Sequence, residues 1–174
     1  MKKIYVLRHS NWDLDRDALT KEGLQKAEAF RKRLDNPKIV ISSPKDRTIE
    51  TAKVLSGKNP VIDNRADIPD FSDEQNRFIR ENREFHPLGV PGVIFEKEEL
   101  IFIAKKAGER FLELLDEVLL KLDGGQSALI LSHDGTMIPA EKLLLRDSFE
   151  KNNKTFHELE GFVVDENLNI RNLK

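Results

Sequence analysis

Three short stretches of this chain carry residue types suited to handling phosphate. They are Arg8-His9-Ser10, Ser42-Ser43-Pro44-Lys45-Asp46-Arg47 and Ser132-His133-Asp134-Gly135. A guanidinium fork matches the oxygens of a phosphate in a bidentate way. A neutral imidazole is a competent nucleophile near pH 7. Two arginines and two histidines in one place suit phosphoryl transfer through a phosphohistidine, with positioning and charge neutralisation supplying most of the catalysis. Taken singly, each residue has an ordinary explanation. A histidine at a strand end is commonly satisfied by a carbonyl, Arg47 fits a surface position early in a helix, and Arg8 fits a sheet-end ion pair. The joint set is harder to explain that way, because buried basic groups need an anion.

A metal centre competes for the same residues, with His9, His133, Asp134 and His157 as ligands of zinc or iron. Arginines beside the histidines repel a cation, and no His-x-x-x-His spacing exists. The expectation is no metal and no cofactor. A Walker-type loop is absent, and Ser42 and Ser43 lack a nucleophile-elbow setting, so their hydroxyls read as capping or phosphate-binding groups.

A sheet must bring these stretches together. Ile4-Tyr5-Val6-Leu7, Ile39-Val40-Ile41 and Ala128-Leu129-Ile130-Leu131 are continuous apolar runs, as expected of strands buried on both faces. Each ends where a basic stretch begins, and ligands of open α/β sheets bind beyond the carboxyl ends of the strands. Helical patterns separate the runs. Leu24, Ala27, Phe30 and Leu34 mark one helix with Thr20 as N-cap. Ser43-Pro44 reads as N-cap plus first position of a second helix that ends at Gly57. A long helix runs through Leu100, Ala104, Ala107, Phe111, Leu114, Val118 and Leu122 until Asp123-Gly124-Gly125. Another follows Gly135, with Pro139 expected in its first turn. Phe156 to Leu173 reads as a hairpin turning near Asp165-Glu166-Asn167. The fold class is therefore α/β, a three-layer sandwich around a mostly parallel sheet with a C-terminal hairpin. A single domain over 1–174 is expected. Residues 64–99 are polar and aliphatic-poor, with a capping box at Ser72-Asp73-Glu74-Gln75 and a stripe of Phe71, Phe78 and Phe85. They read as a helix docked by its phenylalanines or as a cover over a site.

Composition narrows the partners. The chain has 174 residues, with 29 Lys plus Arg against 31 Asp plus Glu and no cysteine. That balance argues against a strongly basic nucleic-acid binder, and missing cysteines exclude a disulfide scaffold or a Cys-based zinc site. No apolar run approaches the roughly 18 residues of a membrane span. The N-terminus starts like a signal peptide, but its apolar stretch ends at Arg8, so a cytoplasmic location is expected. The expected partner is a small phosphorylated metabolite or a phosphoprotein, not nucleic acid or a membrane. No oligomeric state follows from these residues.

The sequence resembles the histidine phosphatase superfamily, which includes the cofactor-dependent phosphoglycerate mutases and many small phosphatases. The residues that carry the resemblance are Leu7-Arg8-His9-Ser10, Leu19-Thr20-Lys21-Glu22-Gly23-Leu24, Ser42-Ser43-Pro44 through Arg47-Thr48-Ile49-Glu50-Thr51-Ala52, and Leu131-Ser132-His133-Asp134-Gly135-Thr136. The resemblance implies His9 as nucleophile, Arg8 and Arg47 as clamps and His133 as stabiliser of the transferring group. It implies that Ser10, Asn11 and the backbone at Asp134 and Gly135 line the pocket, without metal. The chain departs from the family pattern at Ser10, where Gly or Ala is usual.

Nine residues separate His9 from Leu19, a short mouth similar to that of the compact phosphohistidine phosphatases. The 85 residues between Arg47 and His133 are closer to the mutase-like branch. That branch places a Glu after its third strand, where Asp67 or Asp70 stands here. The acid-phosphatase branch uses the Asp after its second histidine, here Asp134, although a carboxyl among such cations tends to stay ionised. Metal-independent phosphomonoester hydrolysis is the leading expectation, with Asp67 placed in the catalytic set. A phosphohistidine-protein phosphatase and a weakly catalytic phosphate-binding regulatory domain are the alternatives. Mutase activity ranks lower, since no basic groups for a second phosphate are obvious. Trp12 reads equally well as a substrate-facing, core or partner-facing aromatic.

Overall fold

The computed structural model describes residues 1–173. Its main sheet has the order β5-β4-β6-β1-β7-β8. The strands are β1 (Lys3–Arg8), β4 (Ile39–Ser42), β5 (Val61–Ile62), β6 (Ser127–Ser132), β7 (Gly161–Asp165) and β8 (Ile170–Leu173). A small hairpin, β2 (Trp12–Asp13) and β3 (Ala18–Leu19), stands apart from it. β1 and β4 both run parallel to β6, with Val6 and Ile41 each opposite Ile130. β7 returns antiparallel on the other side of β1 and pairs with β8, which completes the C-terminal hairpin and makes the sheet mixed.

The continuous apolar runs follow from burial on both faces. Along β1, Ile4 and Val6 enter one core while Tyr5 and Leu7 enter the other. In β6, Ala128 and Ile130 share the first core, and Leu129 and Leu131 the second. Helices α1 (Lys21–Arg31) and α2 (Asp46–Ser56) supply Ala27, Phe30, Ala52 and Leu55 to one face. Helices α5 (Glu98–Lys121) and α6 (Asp134–Leu145) supply Phe111, Leu114, Leu115, Met137 and Ile138 to the other. Each fully buried large side chain contributes about 1.5–3 kcal/mol.

Local signals explain most helix boundaries. Thr20 caps α1 by accepting from the Gly23 amide at 3.0 Å. Gly57 ends α2 in the left-handed region at φ 71°. Two expectations are corrected. The N-cap of α2 is Lys45, not Ser43, because the Ser43 hydroxyl is engaged elsewhere. Pro139 lies inside α6, beyond its first turn, where the helix lacks that backbone donor.

The 64–99 stretch contains α3 (Asp73–Asn82) and α4 (Gly89–Ile94). Ser72 and Gln75 form the expected capping box. Ile79, Val93 and Ile94 make a third core with Leu100 and Ala104 of α5, flanked by Phe71 and Phe78. Phe85 departs from the expected stripe and is 86% exposed, because α3 ends at Asn82 and the face turns away. Among the described residues, no helix is long and apolar enough to cross a membrane.

Candidate active site

Because β4, β6 and β1 are neighbours, their carboxyl ends bring Arg47, His133, Arg8 and His9 to one edge. The four line a cavity of about 770 Å³, with Asp134, Gly135 and His157 on its wall. His9 and His133 are both 3% exposed, with ring centroids 5.4 Å apart.

The histidine tautomers follow from their partners. His9 Nδ1 lies 2.9 Å from the Ser10 carbonyl, which can only accept, so Nδ1 carries the proton and Nε2 keeps its lone pair. Burial, then the charge of Arg8, pushes the His9 pKa down to about 3, with Arg47 adding to it. His133 accepts from Arg47 Nη2 at Nδ1, 3.4 Å away, and donates from Nε2 to Ser43 Oγ at 2.8 Å. Ser43 donates onward to Thr48 Oγ1 at 2.7 Å, and Thr48 to the Lys45 carbonyl at 2.7 Å. Burial and then the neighbouring His9 and Arg47 hold the His133 pKa well below the usual histidine range. Both rings are therefore neutral at physiological pH.

The arginines are fixed from several sides. Arg8 Nη1 donates to the Phe156 carbonyl at 2.5 Å and lies 3.7 Å from Asp134 Oδ2. The Arg47 guanidinium stacks 4.2 Å from the Trp12 ring centroid and pairs with Asp17. Trp12 also meets the His9 ring edge-on at 5.9 Å. Asp17 accepts from the Asp46 amide at 3.1 Å, so one carboxylate ties down both Arg47 and the start of α2. Asp17 holds a left-handed backbone at φ 51°, a conformation L residues adopt at some cost. Nothing in the sequence pattern marked Asp17, because β2 and β3 have two residues each and show no alternation. The resemblance motif did not include it either.

Buried polar atoms without a partner are rare in folded proteins. Among the described residues four such side-chain atoms occur, namely Arg8 Nε, Arg47 Nε, Asp67 Oδ1 and Ser127 Oγ. The two arginines line the cavity, and Asp67 stands next to His133 without being part of the lining. Asp67 Oδ1 lies 3.5 Å from His133 Nε2, and its Oδ2 lies 3.5 Å from Lys45 Nζ. Thr136 Oγ1 donates to the Asp67 carbonyl at 2.6 Å, and Ser132 Oγ to the Ala66 carbonyl at 2.7 Å. A hydroxyl at the end of β6 and one in the first turn of α6 thus position the loop that carries Asp67. Asp134 accepts from the Gly135 amide at 2.9 Å. Asp70 is exposed.

Two expected pocket residues bond elsewhere. Ser10 is fully buried, its hydroxyl donating to the Gly23 carbonyl at 2.8 Å and its amide to Thr51 Oγ1 at 3.1 Å. A side chain on Gly23 would come within 2.1 Å of the Asn11 carbonyl oxygen, so this glycine permits the close approach of α1 to the His9 loop. Asn11 Oδ1 accepts from Lys26 Nζ at 3.0 Å, on the outer side of the loop. Ser10 and Asn11 therefore shape the loop by bonds directed away from the cavity. A third expectation is also corrected. Basic groups beyond the strand ends do face the cavity, since Arg80 of α3 and Arg83, the C-cap of that helix, line it.

The fold and this basic edge belong to an enzyme class, the phosphoric monoester hydrolases of the histidine phosphatase type. The model of the histidine phosphatase superfamily (branch 1) matches residues 4–162, and the chain belongs to that superfamily. Among solved structures, a mycobacterial hydrolase is similar with a TM-score of 0.71 and 16% identity, over 99% of this chain and 96% of that one. A phosphoserine phosphatase mutant from Entamoeba histolytica, in complex with phosphoserine, gives 0.68 and 17% identity over 100% and 96%. A mycobacterial glucosyl-3-phosphoglycerate phosphatase in complex with VO3 gives 0.68 and 16% identity over 99% and 97%. At such identities the likeness concerns the fold. No curated protein sequence matches the chain.

Proposed function

We propose that the protein hydrolyses small phosphomonoesters through a phosphohistidine on His9. In this reading His9 Nε2 attacks phosphorus in line with the ester oxygen. The P–O bond breaks, a P–N bond forms, and the leaving oxygen takes a proton from the Asp67 carboxyl. Water then attacks the phosphohistidine, giving its proton to the Asp67 carboxylate, and inorganic phosphate leaves with His9 restored. Arg8 and Arg47 neutralise the phosphoryl oxygens throughout. His133 holds Arg47 from the protein side.

The observation that carries the reading is the His9 tautomer. The bond from Nδ1 to the Ser10 carbonyl leaves Nε2 unprotonated in a pocket where two buried arginine Nε–H groups have no acceptor. Asp67 is favoured as the acid because Oδ1 is buried beside His133 with no hydrogen bond, its other oxygen facing Lys45, whereas Asp134 accepts from the Gly135 amide and faces Arg8, and Asp70 is exposed. A small substrate is favoured over a phosphoprotein because α3 and α4 roof the cavity. The solved relatives that bind phosphoserine or act on glucosyl-3-phosphoglycerate support a phosphorylated metabolite.

The test is hydrolysis of p-nitrophenyl phosphate with trapping of the phosphoenzyme. Wild type is expected to release phosphate and to form an alkali-stable, acid-labile phosphoprotein. His9→Ala is expected to do neither, with a loss on the order of 10⁴-fold or more in kcat. Full activity in His9→Ala would overturn the mechanism, and a wild type that binds phosphate without turnover would favour the regulatory domain.

A further inference from the structure

We propose that Arg80 and Arg83 form a subsite for a second anionic group on the substrate, so that the enzyme selects phosphomonoesters carrying a carboxylate or another phosphate. The inference rests on the phosphatase reading and names its substrate class. α3 and its C-cap residue Arg83 present Asn76, Ile79, Arg80 and Arg83 at the i, i+3, i+4, i+7 spacing of one helical face. Ile79 is 5% exposed and anchors that face in the third core, while the other three line the catalytic cavity. The face is therefore held in place by packing, with exposed Arg80 and half-buried Arg83 lining the same cavity as Arg8 and Arg47.

Their lack of partners distinguishes these arginines. Arg8 and Arg47 each have a carboxylate or carbonyl within reach. The side chains of Arg80 and Arg83 make no hydrogen bond or ion pair with any other described residue. Arg83 is half-buried, so its charge is only partly solvated. Position near the carboxyl end of α3 suits a cation through the helix dipole, but that places the charge without occupying its donors. The acidic groups lining the cavity are Asp73, Glu84 and Asp134, and none pairs with Arg80 or Arg83. A cavity of about 770 Å³ is also far larger than one phosphate requires. Guanidinium groups with free forks on the far side of such a cavity match a carboxylate or phosphate oxygen pair.

The experiment compares three ligands that differ only at one end: 3-phosphoglycerate, glycerol 1,3-bisphosphate and glycerol 3-phosphate. Calorimetry on the His9→Ala protein reads binding without turnover. One or both of the first two are expected to bind about tenfold or more tightly than glycerol 3-phosphate, and which of them does so identifies the anion. In a His9→Ala background, Arg80→Gln with Arg83→Gln is expected to bring the three affinities within about twofold. Equal affinities before the arginines are changed, or a preference that survives their change, would overturn the subsite. Should the double variant not fold, as read from its thermal melt, raising salt supplies the same contrast. The preference is expected to shrink with ionic strength, and a salt-independent preference would overturn the subsite. Turnover of p-nitrophenyl phosphate by wild type tests the phosphatase reading separately, so loss of either one is distinguishable.

Discussion

The strand-end edge and the α3 roof face each other across one cavity, and they are built on opposite terms. At the edge most polar groups are committed to the protein, and the Nε–H groups of Arg8 and Arg47 are among the few buried there without a partner. Arg47 is held by Asp17, Trp12 and His133, Ser10 by Gly23 and Thr51, and His133 by Ser43. Across the cavity, Arg80 and Arg83 have no side-chain partner among the described residues. Phosphoryl transfer needs donors fixed before the substrate arrives, since reorganising them costs rate. Recognition of the substrate body needs donors left available. Under the proposed phosphatase reading, the contrast assigns the chemistry to the edge and the selectivity to the arginines of the α3 side.

After His9→Ala, the largest effect on the edge should come from Asp67, the proposed acid. Asp67→Asn is expected to slow alkyl phosphate hydrolysis by roughly 10²–10⁴-fold. The loss on an aryl phosphate such as p-nitrophenyl phosphate should be much smaller, because that leaving group needs little protonation. Equal losses on both, measured as kcat, would remove Asp67 from the proton-transfer role. A smaller effect should come from Asp17→Asn. It keeps an oxygen for the Asp46 amide and tolerates the left-handed backbone, but removes the charge beside Arg47. KM is expected to rise by about tenfold while the melting temperature stays nearly constant, which identifies positioning and not folding.

The gentlest test is pH. The His9 pKa lies below its unfolded value, so between about 3 and 6.5 the unfolded chain binds more protons than the folded one. Stability should accordingly rise with pH through that window and level off above it. His9→Gln should flatten part of the dependence in thermal melts from pH 4 to 8. An unchanged slope would mean that His9 is already protonated in the folded protein.

How far these residues could be read beforehand depended on the kind of signal. β1, β4 and β6 announce themselves because burial on both faces makes their apolar runs unbroken. Thr20, Gly57 and the Ser72–Gln75 box are local stereochemistry, legible wherever they occur. The side-by-side placement of Arg8, His9, Arg47 and His133 followed from where those runs end. Asp17 was not legible, because its role depends on a hairpin too short to show periodicity. Ser10 and Asn11 stand beside His9 in sequence, yet their side chains turn toward α1. Adjacency along the chain cannot specify that choice. Arg80 and Arg83 were hidden for a related reason: their spacing defines a helix face, but only tertiary packing decides what the face overlooks.

The strand order has a consequence for biosynthesis. β1 and β4 never touch; β6, which begins at Ser127, is wedged between them. A ribosome that has released the first hundred residues has already made His9 and Arg47, yet has no strand to hold them side by side. The nascent chain must keep a slot open, or reopen it, for a strand arriving more than eighty residues after β4. Such late insertion closes a long loop and is slow relative to local helix formation. Contacts from Trp12, Asp17 and Ser10 to α2 can already bring the His9 loop towards Arg47, but the four-residue edge is complete only when His133 follows β6 into the sheet.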